Sequence, residues 1–302
     1  MTDEGEAGFR CGAVAMAGRP NVGKSTLLNR LLGSKIAIVT PKPQTTRDRI
    51  LGILTMRDRQ VLFQDAPGIH RSGKALNRRM VSEALAVMED CDVVMVVTDA
   101  RDPVDDLRRD EQVLQRVAAG RLPAVLALNK VDLIAKPALL PLIDAYSRRL
   151  PFKAIVPVCA LNGDGLDSLL AEVTALLPEG PAMFPADQLS DRPLRFLASE
   201  FVREKVMLFT KQEVPYSTAV GIDLFEEPDP PAVVRIAATI NVERSSQKAI
   251  IIGKRGAMLR RIGTAAREEM EALLGRKVYL ELFVRVERDW STSDKGLRKV
   301  GY

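Results

Sequence analysis

The sequence predicts two domains in succession: an α/β domain whose mostly parallel sheet has helices on both faces, then a smaller α+β domain. Three observations predict this order. Apolar strand segments alternate with helical segments from residue 12 to residue 177, a Pro-rich stretch with turn residues follows, and strands and helices then recur in a different arrangement. With 302 residues, 46% of them hydrophobic, the chain is long enough to form two cores.

In the first domain we predict six strands and five helices. The strands are expected at residues 12–17, 49–56, 60–64, 92–98, 124–128 and 154–158, and the helices at 24–32, 76–88, 105–118, 137–149 and 165–177. In such a sheet, ligands bind outside the carboxyl ends of the strands. The unusual polar residues of this chain fall at those ends.

The stretch after the first strand fits the pattern G-x-x-x-x-G-K-[ST] at every fixed position. It comprises Gly18, Arg19, Pro20, Asn21, Val22, Gly23, Lys24 and Ser25, and Thr26 continues it into a helix. Backbone N–H groups of such a loop surround phosphates, Lys24 reaches the β- and γ-phosphate oxygens, and the Ser25 hydroxyl binds Mg²⁺. The alternative is a Gly-rich turn with a chance Lys-Ser pair, which the flanking strand and helix disfavour.

A second motif, Asp65-Ala66-Pro67-Gly68, closes the third strand. Asp65 is expected to hold Mg²⁺ through water, and Gly68 lets its backbone N–H approach a γ-phosphate. An ordinary turn is the alternative, because Pro and Gly punctuate loops in any case.

Two further motifs indicate guanine. Asn129-Lys130-Val131-Asp132 follows the fifth strand, and an aspartate there can accept two hydrogen bonds from guanine that adenine cannot offer. Cys159, Ala160 and Leu161 follow the sixth strand, where a backbone N–H would meet the guanine oxygen. Since the four motifs occur in order at strand ends, we predict GTP or GDP with Mg²⁺, bound by Asn129, Lys130, Asp132 and residues 159–161.

Residues 1–183 therefore resemble a Ras-like P-loop GTPase domain, in which Lys24, Thr45, Thr46, Asp65 and Gly68 would serve hydrolysis. Where Ras has a water-orienting Gln, this chain has Ile69, so we expect slow intrinsic hydrolysis. Some bacterial relatives with a hydrophobic residue there carry Asn in the phosphate loop and Thr-Thr-Arg in the first switch, as this chain does at Asn21 and residues 45–47. The resemblance implies that Asn21 helps to hold K⁺ and that either Thr45 or Thr46 binds Mg²⁺. His70, the only histidine, is expected to be a solvated loop residue, with tuning of the switch as the alternative.

The basic excess lies at the C-terminal end. Residues 245–302 contain 13 Lys or Arg against 7 Asp or Glu, a balance of +6, whereas the net charge of the whole chain is +5. Within residues 245–261 there is no acid but a cluster of five cations: Lys248, Lys254, Arg255, Arg260 and Arg261. Such a cluster attracts phosphate backbones, although a solvated helix face is the alternative.

The second domain, residues 193–302, follows a linker at residues 184–192. A Gly-x-x-Gly loop at residues 253–256 lies between two predicted helices and beside predicted strands, which is the layout of K-homology (KH) domains. In this layout the glycines let a nucleic-acid backbone approach, Lys254 and Arg255 meet phosphates, and the neighbouring groove holds about four unpaired nucleotides. We expect apolar contacts to bases from Ile251, Ile252, Met258, Leu259 and Ile262, some of which must also be core.

The pattern over nearly the whole chain resembles the Era family of GTPases. Beyond the GTPase motifs it is carried by Asp187-Gln188, Asp191 to Arg195, Arg203 to Val206, Gln247-Lys248, Leu297-Arg298 and Gly301-Tyr302. The resemblance implies a type II KH domain that binds the 3′ end of 16S rRNA, and a role in maturation of the 30S ribosomal subunit. It also implies peripheral membrane association, although no amphipathic anchor is visible in the sequence. Departures are Cys159 in place of Ser, an enlarged turn at residues 226–231 and the bulky Arg255.

The composition disfavours membrane-spanning, secreted and metal-binding proteins. No apolar run reaches the 18 or more residues of a transmembrane helix and no secretory signal is visible, so we expect a cytoplasmic protein, acting as a monomer. The cysteines Cys11, Cys91 and Cys159 lack metal-ligand spacing and are expected to be buried thiols.

The sequence leaves two alternative functions to weigh. The first is a GTP-dependent RNA-modification factor, but the sequence shows no second catalytic set. The second is an RNA-binding protein whose nucleotide site is merely structural, which the complete nucleotide motifs disfavour.

Overall fold

The computed structural model describes residues 8–68 and 75–302. The described residues form two compact units: the first holds residues 8–37, 46–68 and 80–191, and the second holds residues 38–45, 75–79 and 192–302. Ile69 and His70, on which the expectations about hydrolysis and the switch depend, lie outside the described residues.

The first unit has a six-stranded sheet with the order β2-β3-β1-β4-β5-β6. All neighbouring strands are parallel except β2, which runs antiparallel to β3 at one edge. The central strands β1, β4 and β5 are buried on both faces and are therefore almost wholly apolar. The strands are β1 (Arg10–Ala17), β2 (Ile50–Thr55), β3 (Arg59–Asp65), β4 (Val93–Asp99), β5 (Ala124–Asn129) and β6 (Ala154–Val158).

Five helices belong to this unit wholly or in part: α1 (Lys24–Leu32), α2 (Ala75–Glu89), α3 (Glu111–Gly120), α4 (Leu139–Ser147) and α5 (Leu166–Ala175). Two of them, α3 and α4, begin two or more residues later than the sequence predicts. A 3₁₀ segment, Val104–Asp110, precedes α3 because Asp106 takes the non-helical φ of −118°. A 3₁₀ turn containing Pro137 similarly precedes α4. The spacing of apolar residues predicts where helical structure occurs, whereas local backbone geometry decides where each α-helix begins and ends.

Residues 184–191, predicted as part of a linker, are hydrogen-bonded along β2 and lie in the first unit. The amide of Ile53 donates to the carbonyl of Leu189 over 2.9 Å. The buried Gln60 side chain accepts from the backbone amides of Met183 and Phe184 over 2.8 and 3.0 Å. The Pro-rich composition indicates the absence of periodic structure correctly, but it does not show that this segment covers the edge of the sheet.

The second unit is a three-stranded sheet, β7-β8-β9, with helices on one face. β7 and β8 are antiparallel, and β8 and β9 are parallel. Residues 38–45 join this unit, since the Val39 amide donates to Glu204 over 2.8 Å. No helix of the described residues is long and apolar enough to cross a bilayer. The elements are α6 (Leu194–Phe209), β7 (Thr218–Glu226), β8 (Val234–Val242), α7 (Ser245–Ile252), α8 (Ala257–Leu274), β9 (Val278–Val286) and α9 (Asp294–Lys299).

Candidate nucleotide and nucleic-acid sites

The loop from Gly18 to Ser25 connects β1 to α1 at the carboxyl edge of the first sheet. Gly23 immediately precedes the helix with a φ of +103°, and a Cβ at this position would lie 2.3 Å from Nδ2 of Asn129. Only glycine accommodates both the left-handed backbone and this close approach. The loop therefore leads directly into the N-terminus of α1, where backbone N–H groups are available for an anion.

Lys24 is buried, with its Nζ donating to the carbonyl oxygens of Gly18 and Arg19 over 3.0 and 3.2 Å. Burial lowers the pKa of the Lys24 amine, and the Asp65 carboxylate acts in the opposite direction. A buried ammonium held by carbonyl dipoles is suited to an anionic ligand, which would supply the counter-charge. Thr26 lies in the first turn of the same helix.

Three polar side chains meet below this loop: Ser25, Thr46 and Asp65. The Ser25 hydroxyl lies 2.5 Å from Oδ2 of Asp65 and 3.0 Å from the Thr46 hydroxyl. The Asp65 side chain is fully buried, and within the described part of the chain its Oδ1 has no hydrogen-bond partner. Burial raises the pKa of Asp65, whereas Lys24, Ser25 and Thr46 act to lower it. An orphaned carboxylate oxygen beside two hydroxyls is a donor set suited to a hard divalent cation.

Thr45 is not part of this cluster. Its hydroxyl donates to the carbonyl of Lys42 over 2.8 Å and lies 2.7 Å from the Thr40 hydroxyl, within residues 38–45. Gly68 does lie beside the phosphate-binding loop, since a Cβ on it would be 2.9 Å from the backbone nitrogen of Pro20. The structure thus brings Thr46, rather than Thr45, to Ser25 and Asp65.

Asn129 ties two loops together at the end of β5. Its side-chain Nδ2 donates to the carbonyl of Val22 over 2.9 Å, and its Oδ1 accepts from the amide of Ala160 over 3.0 Å. The side chain is only 2% exposed. Because both ends of its amide are used by backbone, Asn129 acts by positioning the loops, and the exposed Asp132 is the group of this motif that is available to a base.

Lys130 connects the phosphate-binding loop, residues 18–25, to the carboxyl end of β4. Its Nζ donates to the carbonyl of Asn21 over 2.6 Å and to Oδ2 of Asp99 over 2.7 Å. Burial alone would raise the pKa of Asp99, but hydrogen bonds from Arg101 and Lys130 outweigh it and hold the pKa at about 2. Sequence reasoning missed Asp99, although its place at the carboxyl end of β4 is the indication that could have found it.

Arg19 forms ion pairs with two aspartates, Asp102 and Asp110, that sequence reasoning missed. Its Nε lies 2.5 Å from Oδ1 of the buried Asp110, its Nη2 pairs with Asp102, and Asp110 also accepts from the Tyr146 hydroxyl over 2.7 Å. No local pattern marks Asp110 or Tyr146, because they come from different elements that only the fold brings together. In the 159–161 loop, Cys159 and Ala160 are buried and Leu161 is exposed.

In the second unit, the loop from Gly253 to Gly256 connects α7 to α8. Gly253 has a φ of +70°, and a Cβ on it would lie 2.7 Å from Cβ of Met258, so the loop needs glycine there. Lys254 and Arg255 are both exposed at its tip. The two cations are therefore available to phosphates.

A groove of about 360 Å³ lies beside this loop, between α8 and β9. It is lined by three leucines, two arginines, two glycines and a threonine: Gly256, Leu259, Arg260, Gly263, Thr264, Arg267, Leu280 and Leu282. Of the apolar residues expected to contact bases, only Leu259 lines it. Ile251 and Ile262 are fully buried in the core, whereas Ile252 and Met258 are half-buried and lie outside the groove lining. The Arg261 guanidinium stacks on the Phe209 ring, 4.0 Å from its centroid, and does not line the groove. Lys248, which is half-buried on α7, does not line it either.

Comparison with known proteins agrees with both domains. Residues 13–130 match the family described as "50S ribosome-binding GTPase", and residues 213–291 match the KH domain. GTPase Era of Geobacter metallireducens is 51% identical to this chain, and the match covers 97% of this chain and 98% of the relative. GTPase Era of Geobacter sp. (strain M21) is 52% identical, and the match covers 98% of this chain and 99% of the relative. A solved structure of Era in complex with MgGDPNP and nucleotides 1506–1542 of 16S ribosomal RNA has 42% identity and a TM-score of 0.92, covering 97% of this chain and 99% of that one.

The α/β unit with its P-loop, the guanine motif at the end of β5 and the KH unit together define a P-loop GTPase with a C-terminal RNA-binding domain. Relatives about half identical over almost the full length narrow this class further. The chain belongs to the GTPase Era family.

Proposed function

We propose that this GTPase is a nucleotide-controlled switch that binds the 3′ end of 16S rRNA and assists maturation of the 30S subunit. The observation that carries the proposal is the open groove beside the Gly253–Gly256 loop. It combines leucines with Arg260 and Arg267, which suits unstacked bases on a phosphate chain. The solved relative described above holds a 16S rRNA segment of this kind.

In the nucleotide site, the chain's own groups fit a guanine nucleotide with Mg²⁺. When bound, Mg²⁺ supplies positive charge against the β- and γ-phosphates. Ser25 and Thr46 would hold it with their hydroxyls, and the orphaned oxygen of Asp65 would accept from its water shell. Lys24 lies buried at the phosphate-binding loop, and among the residues that the structure describes Asp65 is the side-chain anion that acts on its ammonium.

Selection of the base is assigned to Asp132. A carboxylate there can accept from both N–H groups of guanine, and leaving it unpaired against adenine costs roughly 1–3 kcal/mol. In this proposal Asn129 and Lys130 hold the phosphate-binding loop in a fixed position relative to residues 129–132 and 159–161, and their bonds to Val22, Ala160 and Asn21 support that role.

We further propose that hydrolysis is slow and assisted by K⁺. The side chain of Ile69 cannot orient a water molecule, so charge stabilisation has to come from elsewhere. Asn21 lies at the exposed tip of the phosphate-binding loop with a φ of +65°, its carbonyl fixed by Lys130. That placement suits a monovalent cation against the phosphates.

The test is to crosslink the full-length protein to RNA in cells, purify it and sequence the attached RNA. We expect the sequences to concentrate at the 3′ end of 16S rRNA, and to be depleted when Lys254 and Arg255 are both replaced by Asp. Sequences distributed over unrelated RNAs, unchanged in the variant, would contradict the proposal.

We also propose a monomeric, cytoplasmic protein. The peripheral membrane association that the family resemblance implies is a separate hypothesis. It can be tested by flotation with anionic lipid vesicles at physiological salt, in which a protein that has no membrane role should stay in the dense fraction.

A further inference from the structure

Arg19 is the only charged residue of the phosphate-binding loop before Lys24, and its side chain is held by the protein's own acids. Its Nε lies 2.5 Å from Oδ1 of Asp110, and its Nη2 pairs with Oδ2 of Asp102. A planar guanidinium that is bound at two places keeps one orientation. Because carboxylates of the chain use these two donors, the Arg19 side chain fixes the loop instead of contacting phosphates.

The carboxylate of Asp110 is fixed from its other side as well. The Tyr146 hydroxyl donates to Oδ2 of Asp110 over 2.7 Å, and the two residues are 0% and 1% exposed. Burial and the nearby charge of Asp110 raise the pKa of Tyr146, so the hydroxyl keeps its proton and acts as the donor. A buried carboxylate that is bonded through both oxygens has little freedom to move.

Both supports lie on elements that are packed into the core of the first unit. Asp110 ends the 3₁₀ segment Val104–Asp110, and Tyr146 belongs to α4. Leu107 of the 3₁₀ segment is buried in the same apolar cluster as Tyr146. Since this cluster also contains residues of β4 and β5, the position of the Asp110 carboxylate is set relative to the sheet.

The backbone of Arg19 connects this support to the nucleotide site. Its carbonyl accepts from Nζ of Lys24 over 3.2 Å, beside the carbonyl of Gly18 at 3.0 Å. The next residue, Pro20, lies against Gly68, since a Cβ on Gly68 would be 2.9 Å from the Pro20 nitrogen. The N–H of Gly68 is expected at the γ-phosphate, so the first half of the loop, residues 18–20, borders that phosphate.

The rest of the loop has supports of its own. The carbonyl of Asn21 accepts from Lys130, and the carbonyl of Val22 accepts from Asn129. These bonds do not involve Arg19. Loss of the Arg19 contacts should therefore loosen the half of the loop at the γ-phosphate and leave the half that leads into α1 in place.

We propose that Asp110 and Tyr146 are positioning residues for GTP hydrolysis, which act through Arg19 to hold residues 18–20 so that Lys24 is aligned on the β- and γ-phosphates. The inference rests on the GTPase activity and on the proposed nucleotide contacts of the loop. A loop that is displaced at the γ-phosphate should bind the triphosphate less well and hydrolyse it more slowly, while GDP, which lacks that phosphate, should bind almost normally.

The test measures, for full-length variants, the affinities for a non-hydrolysable GTP analogue and for GDP, together with kcat and KM for GTP. Asp110→Asn should lower the affinity for the GTP analogue and kcat by about tenfold and leave the affinity for GDP within about twofold. Tyr146→Phe removes a single oxygen atom and should act in the same direction by a smaller factor. Glu111→Gln is the matched control, because Glu111 follows Asp110 in the chain but pairs with Arg149 over 2.7 Å.

A double-mutant cycle tests whether Asp110 acts through Arg19. Arg19→Met alone should reproduce the effect of Asp110→Asn, and adding Asp110→Asn to it should lower the affinity for the GTP analogue no further. Losses that add in the double variant would show that Asp110 acts by another route and would overturn the inference.

Two other results would also contradict it. The first is an equal loss of affinity for GDP and for the GTP analogue, which is the result expected if Asp110 only stabilised the fold. The second is an unchanged ratio of the two affinities in Tyr146→Phe, which decides the question if Asp110→Asn does not fold. No RNA is present in these measurements, so failure of the proposed RNA-binding role would leave the result for Asp110 intact.

Discussion

The hydroxyl of Thr46 lies 3.0 Å from that of Ser25, whereas the hydroxyl of the preceding Thr45 bonds to Lys42 and Thr40. Adjacent threonines in one chain segment therefore have different partners. The sequence leaves both open as ligands of Mg²⁺, since consecutive residues of an extended segment point in opposite directions and no pattern tells which one points inwards.

Thr46→Ala should weaken binding of a GTP analogue by about tenfold or more, because a hydroxyl ligand is lost, and weaken GDP binding much less. Thr45→Ala is the matched control and should leave both affinities nearly unchanged. Titration with fluorescent nucleotides in Mg²⁺ measures both. An equal loss in the two variants would contradict the assignment of Thr46.

Asp132→Asn should reverse the choice of base. The amide can donate to the xanthine oxygen where the carboxylate cannot, so the variant should lose affinity for GTP and gain it for xanthosine triphosphate. Asn129→Ala serves as the control: it removes the bonds to Val22 and Ala160, and should weaken both nucleotides alike. Equal binding of ATP and GTP by the unaltered protein would show that Asp132 does not select the base.

Asp99 should make stability depend on pH in the acid range. Its folded pKa of about 2 is below the usual 3.8, so the pairing with Lys130 and Arg101 stabilises the fold fully above pH 4 and is lost as the pH falls towards 2. Asp99→Asn should therefore cost about 2 kcal/mol at pH 6 and roughly half of that at pH 3. Urea unfolding followed by circular dichroism measures the difference. A cost independent of pH would show that charge on Asp99 is not responsible.

Hydrolysis of GTP should be slow and faster in K⁺ than in Na⁺. In Asn21→Ala the difference between the two salts should shrink, because the loop side chain that helps to hold the cation is lost. Release of phosphate under multiple turnover, at equal ionic strength, is the measurement. Equal rates in both salts for the unaltered protein would remove K⁺ from the account.

The sequence predicts the parts of the nucleotide site that follow from a strand end and a local pattern. Lys24, Ser25, Asp65 and Asn129 all fall at the carboxyl edge of the sheet, where the alternation of strands and helices places them. It does not predict Asp110 as a partner of Arg19. That contact joins residues 91 positions apart, and their meeting depends on how the 3₁₀ segment before α3 packs.

In the second unit, too, the sequence predicts features set by local pattern but not those set by packing. The Gly-x-x-Gly pattern identifies the loop, since glycine at Gly253 is needed for local reasons. Which apolar residues face the groove depends instead on the rotation of α8. The groove-lining residues of α8 form one stripe that recurs every three or four positions: Leu259, Arg260, Gly263, Thr264 and Arg267. Arg261 lies outside this stripe and stacks on Phe209 instead.

The central claim, that the KH unit holds a single-stranded segment of ribosomal RNA through the Gly253–Gly256 loop, is tested most directly by one salt titration. The unaltered protein and a variant with Lys254→Asp and Arg255→Asp are titrated with the natural 3′ segment of 16S rRNA and with a scrambled one. The variant should bind the natural segment at least about tenfold more weakly and with a shallower dependence on salt, because fewer counterions are released, while its GTP affinity stays unchanged. If the variant binds as tightly as the unaltered protein, with the same salt slope, the loop is not the RNA clamp.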